Sequence, residues 1–221
     1  MSKILVVATH PDDETLGCGG TLFRHKSEGN DLYWIIITGI SEKEDYSEKG
    51  VKKRDAEIDA VANKYGFKDV FNFRLPTKKI DTLPLSDIIE KITDVYKQIE
   101  PEIIYMPFAF DVHTDHQIIA KALQSTFKWF RFPYINKVLM YETLSETEFN
   151  FIEDRAFRPN VFIDISQFLF DKIETMKIFK DEMNKFPFPR SKKSLCALAS
   201  LRGSQCGAVA AEAFELIYEK I

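Results

Sequence analysis

The feature that most constrains this chain is a rhythm in its first 130 residues. Short apolar runs alternate with amphipathic stretches four times over. Residues 4–9 and 32–38 are apolar almost throughout, as expected of strands covered on both faces. Residues 70–73 and 103–106 read as two shorter strands. The spacing predicts helices over 14–27, 51–65, 85–99 and 115–130. The third carries apolar residues at 85, 88, 89, 92, 95, 96 and 99, one face of a helix. Gly29 and Gly66 stand where the first two should stop. Strand followed by helix, four times, implies an α/β fold: a mostly parallel sheet between two helical layers, with right-handed crossovers.

The rest of the chain predicts strands near 138–141 and 161–163, a helix near 165–180 and a last helix near 208–219. Residues 41–50 are polar and charged and read as an exposed loop. Residues 185–193 (KFPFPRSKK) are proline-rich and basic, a connector placed to roof a site. With 221 residues, no repeat and no linker, one domain is expected over 1–221 at about 150 residues per domain. Residues 1–130 would hold the β-α repeats, and 131–221 an elaboration of the same domain.

Composition excludes several classes. Thirty Lys and Arg against 34 Asp and Glu leave a net charge of −4, which argues against a dedicated nucleic-acid binder. No apolar run approaches the ~20 residues that span a bilayer, and none has the form of a signal core, so no membrane insertion and a cytoplasmic location are expected. The three cysteines, Cys18, Cys196 and Cys206, lack CxxC spacing and support neither a disulfide framework nor a thiolate zinc site.

The chemistry concentrates just past two strands. In open parallel sheets, ligands bind beyond the carboxyl ends of the strands. After the first strand comes His10-Pro11-Asp12-Asp13-Glu14, and after the fourth Asp111-Val112-His113-Thr114-Asp115-His116. Three of the four histidines lie in these segments; the fourth, His25, falls mid-helix and reads as a surface residue. Histidines and a carboxylate that converge make a metal site with open positions, the catalytic pattern for zinc. Pro11 holds its stretch extended, so the side chains of Asp12 and Asp13 should diverge. One can then bind the metal while the other faces a water; either could instead cap the helix that follows. Gly17, Gly19 and Gly20 lie within that helix rather than before it, which suggests close helix–sheet packing and no dinucleotide fingerprint.

These residues resemble the PIG-L/LmbE family of zinc-dependent de-N-acetylases, in particular its small soluble bacterial members. Residues 10–20 (HPDDETLGCGG) are similar to the family's first signature and residues 113–116 (HTDH) to its second. Weaker echoes are Arg54 with Glu57, Tyr141-Glu142, and Arg202-Gly203 with Ala211-Glu212-Ala213-Phe214. The resemblance implies a Rossmann-like three-layer sandwich and a homo-oligomer. It implies zinc held by His10, Asp13 and His116, with Fe2+ possible in the same site, Asp12 as general base, His113 as acid or oxyanion partner, and Asp115 orienting His113. Asp115 would then keep His113 charged. Arg54 and Arg202 become candidates for substrate contacts. The expected reaction is hydrolysis of the N-acetyl group of an amino sugar or its conjugate.

Two other classes compete. Two histidines and one carboxylate also suit a non-haem Fe(II) oxygenase, although Asp12 has no use there. A non-enzymatic metal-binding or assembly protein would use the aromatic segment 127–134 (FKWFRFPY) as an interface.

Overall fold

The computed structural model describes residues 1–41 and 46–221. In chain order the elements are β1 (Lys3–Ala8), α1 (Asp13–Ser27), β2 (Asp31–Gly39), α2 (Glu48–Tyr65), β3 (Asp69–Pro76), α3 (Leu85–Ile99), β4 (Ile103–Pro107), α4 (Thr114–Gln124), β5 (Lys137–Tyr141), β6 (Val161–Asp164), α5 (Leu169–Met176), α6 (Lys192–Cys206) and β7 (Ala211–Glu219). One seven-stranded sheet runs in the order β3-β2-β1-β4-β5-β7-β6. Its first five members are parallel, and β7 runs antiparallel to both β5 and β6. The mostly parallel three-layer α/β fold expected from the sequence is the observed one.

The continuous apolar runs are explained by the pleat. Along β1, Ile4, Val6 and Ala8 face one helical layer, together with Leu16 and Leu22 of α1 and Val61 of α2. Leu5 and Val7 face the other, together with Ile92 of α3 and Ile119 of α4. Strand residues alternate faces, so a strand buried on both sides has no polar positions. Each fully buried branched side chain contributes about 1.5–3 kcal/mol. A Cβ on Gly17 would come within 2.1 Å of the Tyr141 ring, and on Gly20 within 2.7 Å of Ile165. These glycines let α1 lie against its neighbours, as the sequence suggested.

The C-terminal region departs from expectation. Residues 208–219 are rich in Ala and Glu and read as a helix, yet β7 occupies Ala211–Glu219. Tertiary context overrides propensity here: β7 fills the gap between β5 and β6, and Glu212 repairs a break in α1. That helix is kinked at Cys18, whose φ of −140° is not helical. The backbone N–H groups of Gly20 and Thr21 donate to the Glu212 carboxylate at 2.9 and 2.7 Å. Lys172 donates to the Leu16 carbonyl at 2.8 Å and pairs with Glu212 at 2.6 Å. A buried ion pair thus supplies the partners that the kink removes from the helix ladder.

Other boundaries shift. The helix expected over 165–180 is the shorter α5. Helix α6 was not expected from the sequence, because its buried stripe is only Leu195, Ala199 and Gly203, four apart and two of them small. It is opened by Ser191, whose Oγ accepts from the Ser194 N–H at 3.1 Å. Helix α4 ends at Gln124, and in the aromatic segment beyond it Phe132 is buried while Trp129 and Phe130 are exposed. The loop expected over 41–50 gives way to α2 at Glu48, and its residues 42–45 lie outside the described residues. His25 is not a free surface residue: its Nε2 meets the Tyr105 hydroxyl at 2.9 Å and its Nδ1 lies 3.2 Å from the Asn30 amide. Among the described residues, no helix is long and apolar enough to cross a membrane.

Candidate active site and metal centre

Strands β1 and β4 are adjacent and parallel, and the chain leaves them toward opposite sides of the sheet, to β2 and to β5. A crevice opens at such a switch point beyond the carboxyl ends of the strands. Both histidine segments emerge there.

The turn after β1 contains an unusual backbone. Asp12 has φ 148° and ψ −24°, a conformation that costs a non-glycine residue about 1–3 kcal/mol. It is held from several directions. The Asp12 carbonyl accepts from Thr15 and Leu16 N–H at 3.0 and 2.9 Å, and the Asp12 N–H donates to Glu14 Oε2 at 3.1 Å. Neither aspartate side chain caps the helix in the usual way: Asp12 occupies the N-cap position with no side-chain cap bond. The two carboxylates diverge instead. Asp13 Oδ2 accepts the His10 N–H at 2.7 Å and lies 3.2 Å from His116 Nε2. Asp12 Oδ2 accepts from Arg190 Nη1 at 2.8 Å.

Three ligand atoms face one another: His10 Nδ1, Asp13 Oδ2 and His116 Nε2, separated by 3.2–3.7 Å. Two ligands each about 2.0–2.1 Å from a tetrahedral zinc would lie about 3.3 Å apart. The donor set and its spacing therefore fit a divalent ion with one position left open. Burial opposes ionisation of Asp13, but His116 and His10 beside it outweigh burial and hold its carboxyl well below the usual carboxylate range.

Each histidine of this triad has a carboxylate behind it. His116 Nδ1 meets Asp111 Oδ2 at 2.8 Å, and Asp111 is itself bonded by Thr147 Oγ1. His10 Nε2 lies 3.4 Å from Asp115 Oδ2, which also accepts the Lys78 N–H at 2.7 Å. His10, His113 and Asp115 form a second cluster with metal-ligating atoms. Because His10 Nδ1 already faces Asp13 and His116, its Nε2–H is the one that points to Asp115, the usual arrangement behind a metal-bound imidazole.

This arrangement corrects the expected role of Asp115. Its carboxylate supports His10, and only its backbone N–H reaches His113, donating to Nδ1 at 3.1 Å. Nor is His113 held charged: burial first, then His10 and His116, push it down to about 4. A neutral ring that accepts at Nδ1 carries its proton on Nε2.

His10, Asp12, Asp13 and His113 line a cavity of about 440 Å³, and Arg54 borders it. Arg54 Nη1 donates to the Pro11 carbonyl at 3.3 Å, and its other arm pairs with Glu182. Arg202 stands apart. It grips Glu142 through Nε and Nη2 at 2.7 and 2.6 Å, beside a separate cleft.

Three groups at this site carry little mark in the sequence. Asp111 had a signal, an acid two residues before His113 in a histidine-bearing loop. Arg190 lies in the segment 185–193, where a lone arginine among lysines carries no mark. Glu14 was read only as a helix start, yet it is fully buried, with its carboxyl pushed up to about 8 by burial. Burial, reinforced by Asp13, also raises Asp12 well above the ordinary carboxylate value, with Arg190 acting against that rise.

Comparison with known proteins agrees with this architecture. The chain is 23% identical over 199 residues to a diacetylchitobiose deacetylase of Thermococcus kodakarensis, covering 82% of this chain and 70% of that one. A conserved protein of Thermus thermophilus superposes with a TM-score of 0.77 at 22% identity, covering 100% and 97% of the two chains. A 4-carboxy-2-hydroxymuconate hydratase of Pseudomonas putida superposes with a TM-score of 0.75 at 19% identity, covering 100% and 98%. These solved structures share the fold. Residues 5–127, more than half of the chain, match the PIG-L family, described as GlcNAc-PI de-N-acetylase, and the chain belongs to that family.

Proposed function

We propose that this protein is a metal-dependent hydrolase that removes the acetyl group from an N-acetylated amino sugar or a conjugate of one. The observation that supports the reading is the divergence of two neighbouring carboxylates at the turn after β1: both border the cavity, but Asp13 lies against His10 and His116 while Asp12 turns to Arg190. His10, Asp13 and His116 would hold the ion, zinc or Fe2+. When bound there, such an ion supplies a Lewis acid that acidifies water and polarises an acyl oxygen.

The chain's own residues do the rest. Asp12 accepts a proton from the attacking water at a carboxylate oxygen. Its raised affinity for a proton, set by burial and Asp13, suits a base that must later return the proton to the departing amine. Neutral His113 donates its Nε2–H to the oxygen on which negative charge develops, and loss of one such donor costs roughly 10²–10³ in rate. Arg54, which borders the cavity, would meet sugar hydroxyls or an acidic aglycone.

The test is acetate release from a panel of N-acetylated amino sugars, run on protein of known metal content. Metal-dependent release supports the reading. A metal-loaded protein that releases no acetate from any of them, nor removes an acetyl mass from any component of a cell extract, sinks it. The hydratase that shares this fold favours one second reading, addition of water to a carbon–carbon double bond. Loss of an unsaturated substrate's absorbance without acetate release would identify it.

A further inference from the structure

The segment 185–193 brings one side chain into the site. Arg190 directly precedes the residue that caps α6, so its backbone is anchored: Ser191 is buried, and its N–H donates to the Phe188 carbonyl at 3.0 Å. From there Arg190 Nη1 reaches Asp12 Oδ2 at 2.8 Å and Glu182 Oε2 at 3.0 Å. Glu182 pairs in turn with Arg54, and Arg54 donates to the carbonyl of Pro11. The four side chains close a ring on the two residues just before Asp13. No hydrogen bond from the described residues reaches Asp12 Oδ1.

We propose that Arg190 is a positioning residue for Asp12: by holding Oδ2 it fixes the plane of the carboxylate and leaves Oδ1 turned to the attacking water, whose proton it takes. The inference rests on Asp12 as the general base.

The physical reason is the softness of a carboxylate. The torsion that rotates its plane is broad and roughly two-fold, so packing alone sets it poorly. One charge-assisted hydrogen bond from a planar guanidinium sets it well. Arg190 is itself held by Glu182 and by its ring contact at 6.0 Å from Phe188, so it acts as a fixed point. A base misplaced by about 1 Å can cost roughly 10²-fold in rate.

The experiment compares Arg190→Ala, Arg190→Lys, Asp12→Asn and the Asp12→Asn/Arg190→Ala pair in the metal-loaded protein. It reads kcat and KM for acetate release, metal content and melting temperature. Arg190→Ala is expected to lower kcat about 10²-fold, with KM and metal content unchanged. Guanidinium ion added to Arg190→Ala should restore part of kcat, and Arg190→Lys should fall between the two. In the Asp12→Asn background, Arg190→Ala should cost nothing further.

Unchanged kcat overturns the proposal. So does a raised KM at unchanged kcat, which would make Arg190 a substrate contact, and so does full additivity in the double variant. If Arg190→Ala melts early, Arg190→Lys, which keeps the charge, decides: wild-type kcat in that variant, without the orienting fork, also overturns it. A separate result, wild-type kcat in Asp12→Asn alone, would show that the base itself was misassigned.

Discussion

The rim of the sheet and its C-terminal brace contribute to the same site in different ways. The rim, after β1 and β4, gathers the candidate site groups into two short segments: His10, Asp12 and Asp13, then Asp111, His113, Asp115 and His116. The brace, residues 161–219, contributes scattered single residues that reach back across the chain. Arg190 meets Asp12 from 178 positions away, and Glu212 meets Gly20 from 192. Groups that touch the reacting atoms must share one end of adjacent strands, so they cluster in sequence. Groups that hold them need only reach, so some, such as Asp111 and Asp115, lie in the same segments and others, such as Arg190, lie far along the chain.

That contrast can be broken experimentally. The largest effect is expected at the rim: His116→Ala should lose the metal and turnover together, measured by metal analysis and acetate release. Retained metal at wild-type stoichiometry would remove His116 from the triad. Next, Asp12→Asn should keep the metal and lower kcat by roughly 10²–10⁴. Metal loss as severe as in His116→Ala would erase the division between the two aspartates.

In the brace the cost should fall on stability. Glu212→Ala leaves Lys172 buried without its partner, a change that typically costs about 3–5 kcal/mol, read by denaturant unfolding. Turnover per folded molecule should remain; its loss without destabilisation would put Glu212 with the rim. Asp111→Asn should weaken metal affinity by roughly 10–100-fold while leaving the fold intact, measured by competition with a chelator.

A last effect, read as a slope against pH, concerns Glu14, a rim residue that acts on stability. Its carboxyl is pushed from 4.5 up to about 8 by burial, so the folded state holds that proton more tightly than the unfolded chain does. Stability of the metal-free protein should therefore fall as pH rises from about 4.5 to about 8, with the contribution lost by the upper end. Glu14→Gln should flatten this slope in unfolding curves taken across that range. An unchanged slope would assign the pH dependence to other groups.

What could be read from the sequence follows the same division. Strands β1 to β5 and the helices between them were legible because burial on two faces writes apolar runs and burial on one writes a helical stripe. Residues 10–13 and 113–116 were legible because chemistry concentrates rare residue types. Strand β7 was not, since Ala211–Glu219 has a helix former's composition and only its neighbours β5 and β6 make it a strand. Nor was the partner of Asp115: the family resemblance pairs it with His113, two residues before it, whereas its carboxylate turns to His10, which only folding brings near. The neutral state of His113 depends on burial and then on two imidazoles brought near by folding, neither of which a local pattern records.

The kink at Cys18 has a consequence for how the protein is made. The turn after β1 is translated early, yet the carboxylate that pairs the N–H groups freed at the kink lies 192 residues beyond Gly20. A chain cut before residue 212 would keep residues 10–13 and 113–116 and lack the carboxylate on which the N–H groups of Gly20 and Thr21 converge.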